Sequence, residues 1–254
     1  SFKIANIDSS GSDTTFTLND INTNVPITQD YFGGFASFMP MATVENGLSS
    51  YKIKDVLFSG TNTKIVIEGD NGSGKTTLIR ILSGLIQPTQ GHFIINDDTF
   101  NKMDINQYRT HFGCILQGET LFEGTIFENL TFNNPNISNE DIKWALDNLK
   151  LTSFIKTLPN GLNTPIFPDG KQLSSSNIQK ILLARCVLHK PRILFLENPT
   201  DKMDVATSQE IIAFLMDPNQ KWTVVVTSNN KQFSAKSNRV ITMEKGKISN
   251  ILNK

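Results

Sequence analysis

Apolar and polar residues alternate over short stretches at the start of the chain, in FKIANI, TFTLNDI and YKIKDVLF. A period of two among Thr, Asn, Ser and Asp predicts edge-type β-strands with polar turns across residues 1–60. Between them lies DYFGGFASFMPMA, Asp30 to Ala42, aromatic and glycine-containing. It reads as a hairpin or loop packed on that sheet, with a partner-contact patch as the sharper alternative. The pattern changes at Lys64. KIVIEG is a continuous β-branched run, as expected of a buried parallel strand. A glycine-rich turn follows, then TTLIRILSGLI with apolar residues at helical spacing, stopped by Gly84 and Pro88. Residues 119–160 show turns marked by Gly, Asn and Pro and one clear helix, EDIKWALDNLK, with Ser138 as its cap. A second helix runs from Ser174 to His189, with Ile178, Ile181, Leu182, Val187 and Leu188 on related faces. RILFLE and WTVVVTS read as two more buried strands, and RVITMEKGKISNIL as a hairpin turning at Lys245–Gly246. Strands alternating with helices predict a parallel α/β core.

The turn after KIVIEG carries the first chemistry. Gly69, Asp70, Asn71, Gly72, Ser73, Gly74, Lys75, Thr76 and Thr77 spell GDNGSGKTT, a match to G-x-x-x-x-G-K-[ST]. Glycines let backbone N–H groups curl around an anion, and the helix N-terminus adds partial positive charge. Lys75 can reach β- and γ-phosphates, and the Thr76 hydroxyl can ligate Mg²⁺. A strand before the loop and a helix after it are the context this motif requires, so ATP is the expected ligand.

Composition narrows the partners. Lys plus Arg and Asp plus Glu number 24 each, so no net basic field points to nucleic acid. The two cysteines, Cys114 and Cys186, sit in apolar runs and read as small buried hydrophobes, in keeping with a reducing cytosol. No apolar run reaches the roughly 18 residues that span a bilayer, and no signal peptide opens the chain. The chain begins at Ser1 rather than Met, as expected of a piece of a longer protein.

Beyond the loop, ILQGETLFEGTIFENLTF, Ile115 to Phe132, resembles the Q-loop stretch of ABC-type exporter ATPase domains. LPNGLNTPIFPDGKQLSSSNIQKILLARCVLHKPRILFLENPT, Leu158 to Thr200, resembles the same family's run through its signature motif, its Walker B strand and the start of its D-loop. EKGKI near the end also fits, and the resembling segments keep the family's order from about Lys64 to Ile248. The resemblance implies one ABC nucleotide-binding domain with a P-loop NTPase core, a parallel sheet, an antiparallel β-subdomain and a helical lobe. Its implied parts are a β-subdomain over 1–60 with an extra segment near 30–42, a core over 61–118 and 190–254, and a helical lobe over 119–189. It further implies Mg²⁺ and ATP held between the P-loop of one domain and the signature motif of a second, as a homodimer or heterodimer. Transmembrane domains, on the same or a separate chain, would hold the assembly at the cytoplasmic face of the membrane.

Gln117 matches the Q-loop glutamine, which in the family senses the γ-phosphate and ligates Mg²⁺, and Asp204 matches the D-loop aspartate or is an ordinary surface residue. Other positions depart. The signature LSGGQ reads LSSSN here, with Ser174 kept and Ser175, Ser176 and Asn177 changed; Ser174 alternatively only caps the following helix. Walker B ends in Glu197 and Asn198 rather than Asp-Glu: Glu197 can still serve Mg²⁺, whereas the amide of Asn198 cannot take a proton from water. Ser228 stands where the family has its H-loop histidine. The histidines present, His92, His111 and His189, are scattered and read as surface or packing residues. Tyr51 is the candidate adenine-stacking aromatic, with packing within a strand as the alternative. Two readings follow: a transport ATPase with weak or full activity, or a degenerate module that binds ATP and hydrolyses little.

Overall fold

A computed structural model describes residues 63–87, strand residues 94–95 and 98–99, and residues 108–254. The expected strands before residue 61, the segment 30–42, Tyr51, Pro88 and His92 lie outside the described residues.

KIVIEG forms strand β1, Lys64–Gly69. With Val and Ile at its centre it suits a position covered on both faces, and Ile65, Val66 and Ile67 are fully buried. Helix α1, Lys75–Leu82, follows the glycine-rich turn. Strands β2, Ile94–Ile95, and β3, Asp98–Thr99, pair as a separate antiparallel ribbon. Then come β4, Phe112–Ile115, and β5, Gly124–Thr125. Helices α2, Ile126–Thr131, α3, Asn139–Asn148, and α4, Thr152–Thr157, precede β6, Pro165–Ile166, which pairs with β5. Helix α5, Ser175–Leu188, leads into β7, Ile193–Glu197. The chain closes with α6, Val205–Leu215, β8, Thr223–Thr227, α7, Lys231–Ala235, β9, Arg239–Glu244, and β10, Lys247–Asn253.

Six strands make the main sheet, in the order β10-β9-β1-β8-β7-β4. Every neighbouring pair is parallel except β9 with β10, which form the expected hairpin through Lys245 and Gly246, both at positive φ. Alternation along β1 divides the core in two. Ile65 and Ile67 join Leu78 and Ile79 of α1 in one cluster, whereas Val66 joins residues of α5 and α6 in the other. The sheet is thus the middle of three layers.

Helix α5 runs through the larger cluster, and every residue from Gln179 to Leu188 is buried. Its one arginine is accommodated by local chemistry. Arg185 donates through Nε to the Asn129 carbonyl at 2.7 Å and through Nη2 to Asn129 Oδ1 at 2.9 Å, and its guanidinium lies 4.9 Å from the Phe132 ring centroid. Ser174 and Ser138 cap α5 and α3 as their positions predict. Residues 119–160 hold three helices rather than the single one expected. The added α2 is too short to show periodicity, yet Thr125 and Glu128 close a reciprocal capping box that fixes its start. Cys186 is buried as expected, but Cys114 is half-buried. Both are free thiols, and Cys186 Sγ donates to the Cys114 carbonyl at 3.2 Å.

Lys64 opens β1 at the pole opposite the phosphate loop. It is 2% exposed, and its amine donates to the Trp222 carbonyl at 2.6 Å. Burial pulls this amine down to about 8, against a partial opposing pull from Asp217. The unfolded chain, protonating at 10.5, holds the proton more tightly between those pH values, so this group's contribution makes native stability rise with pH from about 8 to 10.5. Chemical denaturation of the protein and of Lys64→Met should show their stability difference shifting by up to roughly 3 kcal/mol between pH 7 and pH 10.5. A constant difference would mean that Lys64 is not a buried, depressed amine.

Candidate functional site

The loop from Gly69 to Gly74 leaves the C-terminal end of β1, where ligands of open α/β sheets bind. Three glycines have positive φ: Gly69 at 149°, Gly72 at 78° and Gly74 at 100°. Gly69 also has no room for a side chain, because a Cβ would collide with the Met243 carbonyl oxygen on β9 and crowd Ser73 Oγ. The Gly246 N–H donates to the Ser73 carbonyl at 3.0 Å, so the β9–β10 turn braces the loop. Ser73 is buried.

Lys75, the first residue of α1, folds over the loop. Its amine donates to the Gly69 carbonyl at 2.6 Å, to the Asp70 carbonyl at 2.8 Å and to Ser73 Oγ at 3.4 Å. Burial lowers its pKa, while Asp70 and Glu197 pull the other way. Gly74 occupies the N-cap of α1 and offers no side-chain bond to the first turn, unlike the caps of α3, α5 and α6. The leading N–H groups of α1 therefore face a ligand position with their dipole unopposed.

Glu197 ties three segments together. It ends β7, is 4% exposed, accepts the Thr76 hydroxyl on one carboxylate oxygen and accepts the Gln117 N–H on the other at 2.9 Å. One hydroxyl and one carboxylate on this rim are the hard oxygen donors that suit Mg²⁺. Thr76, Glu197 and the Gln117 backbone thus lie together, and with the uncapped α1 and the Lys75 amine they fit a metal-bound polyphosphate. The Gln117 side chain is exposed.

Asn198 follows Glu197 in the left-handed region, at φ 46°, which Asn tolerates better than most residues. Its N–H donates to the Thr227 carbonyl at 2.9 Å, and its carbonyl accepts from Gln179 Nε2 of α5 at 2.9 Å. Ser228 is buried, donates its N–H to the Ile67 carbonyl at 3.2 Å and accepts the Asn230 N–H on its hydroxyl at 3.1 Å. Ser174, Ser175 and Ser176 lie elsewhere. Ser174 Oγ accepts the Asn177 N–H at 3.2 Å as the cap of α5, and among the described residues no hydrogen bond joins these serines to the loop. Asp204 caps α6 through the Thr207 N–H at 2.9 Å, and these Thr207 bonds lower its pKa. Among the described histidines, His189 packs against the Phe132 ring with centroids 6.1 Å apart, and His111 is half-buried.

One contact was invisible in the sequence. Asn229 Oδ1 accepts the Gly69 N–H at 3.3 Å, across 160 positions of chain.

The model of the ABC transporter family matches residues 57–201. The chain belongs to the ABC transporter family. Similar curated proteins include the ABC transporter ATM1 of Toxoplasma gondii, 28% identical over 78% of this chain and 18% of that protein. The chloroplastic ABC transporter B family member 29 of Arabidopsis thaliana is 30% identical over 74% of this chain and 30% of its own length. The mesentericin-Y105 transport/processing ATP-binding protein MesD of Leuconostoc mesenteroides is 29% identical over 81% of this chain and 28% of its own length. The chain therefore spans less than a third of each of these relatives. A solved bacterial Atm1-family ABC exporter with ATP bound shares the fold, with a TM-score of 0.72 at 23% identity over 79% of this chain and 35% of that one. No helix among the described residues of this ABC family member is long and apolar enough to cross a membrane.

Gly69 is the residue on which the loop geometry turns. Gly69→Ala should lower stability by about 2–4 kcal/mol, since the methyl meets backbone rather than a yielding side chain. An unchanged denaturation midpoint would show that the loop does not sit against Met243.

Proposed function

We propose that this chain is the ATP-binding domain of an ABC exporter-type transporter, one that binds Mg²⁺-ATP and hydrolyses it slowly. The observation that carries the reading is the neutral Asn198 directly beside the Thr76–Glu197–Gln117 assembly. Lys75 and the first-turn N–H groups of α1 bind and orient the phosphates. Thr76, Glu197 and the Gln117 side chain hold Mg²⁺, which neutralises phosphate charge when bound. Asn198 occupies the position from which a carboxylate would take a proton from the attacking water, and a carboxamide has no basic site for that transfer. Loss of a general base lowers rates by about 10²–10⁴-fold. Ser228 likewise supplies no imidazole.

The remaining parts of this reading follow the family. A helical lobe over 119–189 stands on a core over 61–118 and 190–254. A second nucleotide-binding domain, identical or different, faces the P-loop, and the Ser174–Ser176 stretch serves the partner's nucleotide rather than its own. Among the described residues Ser174 bonds only within its own helix start, through the Asn177 N–H, which supports that division. Tyr51 remains the proposed adenine platform. Transmembrane domains on the same or another chain receive the closing motion at the cytoplasmic face. Binding alone shifts such an equilibrium when the closed state holds ATP better.

ATP turnover by the purified chain with Mg²⁺, measured against Lys75→Ala, tests this. Turnover should lie near that blank and rise by about 10²-fold in Asn198→Glu. Fast turnover in the unaltered protein, lost in Lys75→Ala, would instead establish a fully active transport ATPase.

A further inference from the structure

The segment after β8 straps the end of β1 through three successive residues. The Ser228 N–H meets the Ile67 carbonyl, Lys231 Nζ and Ser234 Oγ donate to Glu68 Oε2 at 3.3 and 3.0 Å, and Asn229 Oδ1 takes the Gly69 N–H. Within this strap Ser228 and Asn230 are committed locally. The Ser228 hydroxyl accepts the Asn230 N–H, and the Asn230 side chain caps α7 by accepting the Gln232 N–H at 3.0 Å. Asn229 differs: it is exposed and lies across the origin of the phosphate loop.

We propose that Asn229 contacts the terminal phosphate of the bound nucleotide. With Oδ1 taken by Gly69, the carboxamide presents Nδ2, a two-hydrogen donor, to a ligand. The carboxamide is anchored to the first residue of the loop that Lys75 closes over, at the carboxyl ends of β1 and β8. An amide donor stabilises phosphate oxygen without exchanging a proton, so it favours the triphosphate over the diphosphate while leaving the chemistry of hydrolysis unassisted.

This inference rests on the ATP-binding reading, and its test separates the two. Affinities of the full chain for Mg²⁺-ADP and for a non-hydrolysable ATP analogue with Mg²⁺ are compared in the unaltered protein, Asn229→Ala, Asn229→Asp and Lys75→Ala. Asn229→Ala should lose roughly tenfold for the triphosphate analogue and less than about twofold for ADP, the scale of one hydrogen bond to a charged group. Asn229→Asp keeps an acceptor for the Gly69 N–H but has no donor, and should lose at least as much triphosphate affinity. Equal losses for both nucleotides in Asn229→Ala, or an Asn229→Asp protein matching the unaltered one, would overturn the assignment and reduce Asn229 to a brace for Gly69. Absence of any nucleotide binding sensitive to Lys75→Ala would overturn the ATP-binding reading itself.

Discussion

The contact between Gly69 and the Met243 carbonyl is the constraint from which the site is built. It leaves no room for a side chain at the last residue of β1, whose φ of 149° also suits glycine, and there the chain leaves the sheet. β1 lies between β8 and β9, buried on both faces, so this exit point is anchored in a parallel sheet rather than a pliable loop. Everything functional is referred to it. Lys75 folds back on the Gly69 and Asp70 carbonyls, the β9–β10 turn holds Ser73, and the strap after β8 holds Ile67, Glu68 and Gly69.

The second organising element is a single carboxylate. Glu197 brings together a hydroxyl from α1 and a backbone N–H from the segment after β4, which are 121 and 80 residues away in sequence. Its extra methylene relative to aspartate is consistent with this reach. Under the proposed reading, proton transfer would depend on the adjacent position, where the chain has an amide. A site can therefore keep its architecture for binding while losing its capacity for turnover, because phosphate binding depends on charge and placement whereas hydrolysis also requires a base.

Features governed by local sequence were legible. KIVIEG, the glycine loop, the caps at Ser138 and Ser174 and the Lys245–Gly246 turn each declare themselves within a few residues, and the element order then implies the parallel core. Short helices α2 and α4, of six residues each, carry too little periodicity to stand out, although Thr125 and Glu128 offered a capping signal. Long-range polar contacts were not legible. Nothing in SNN indicates that Ser228 turns inward to its own loop while Asn229 reaches Gly69, since that depends on how β8 stands beside β1. The match of residues 57–201 to the ABC transporter family agrees with the resemblance that the motif order had suggested.

Calorimetric titration of the chain with Mg²⁺-ATP, alongside Lys75→Ala, is the most direct test of the account. Saturable binding that is lost or strongly weakened in Lys75→Ala is the predicted result, because that amine closes the loop at Gly69 and Asp70. Equal binding by both proteins would contradict the account, since the nucleotide would then lie somewhere other than the glycine loop.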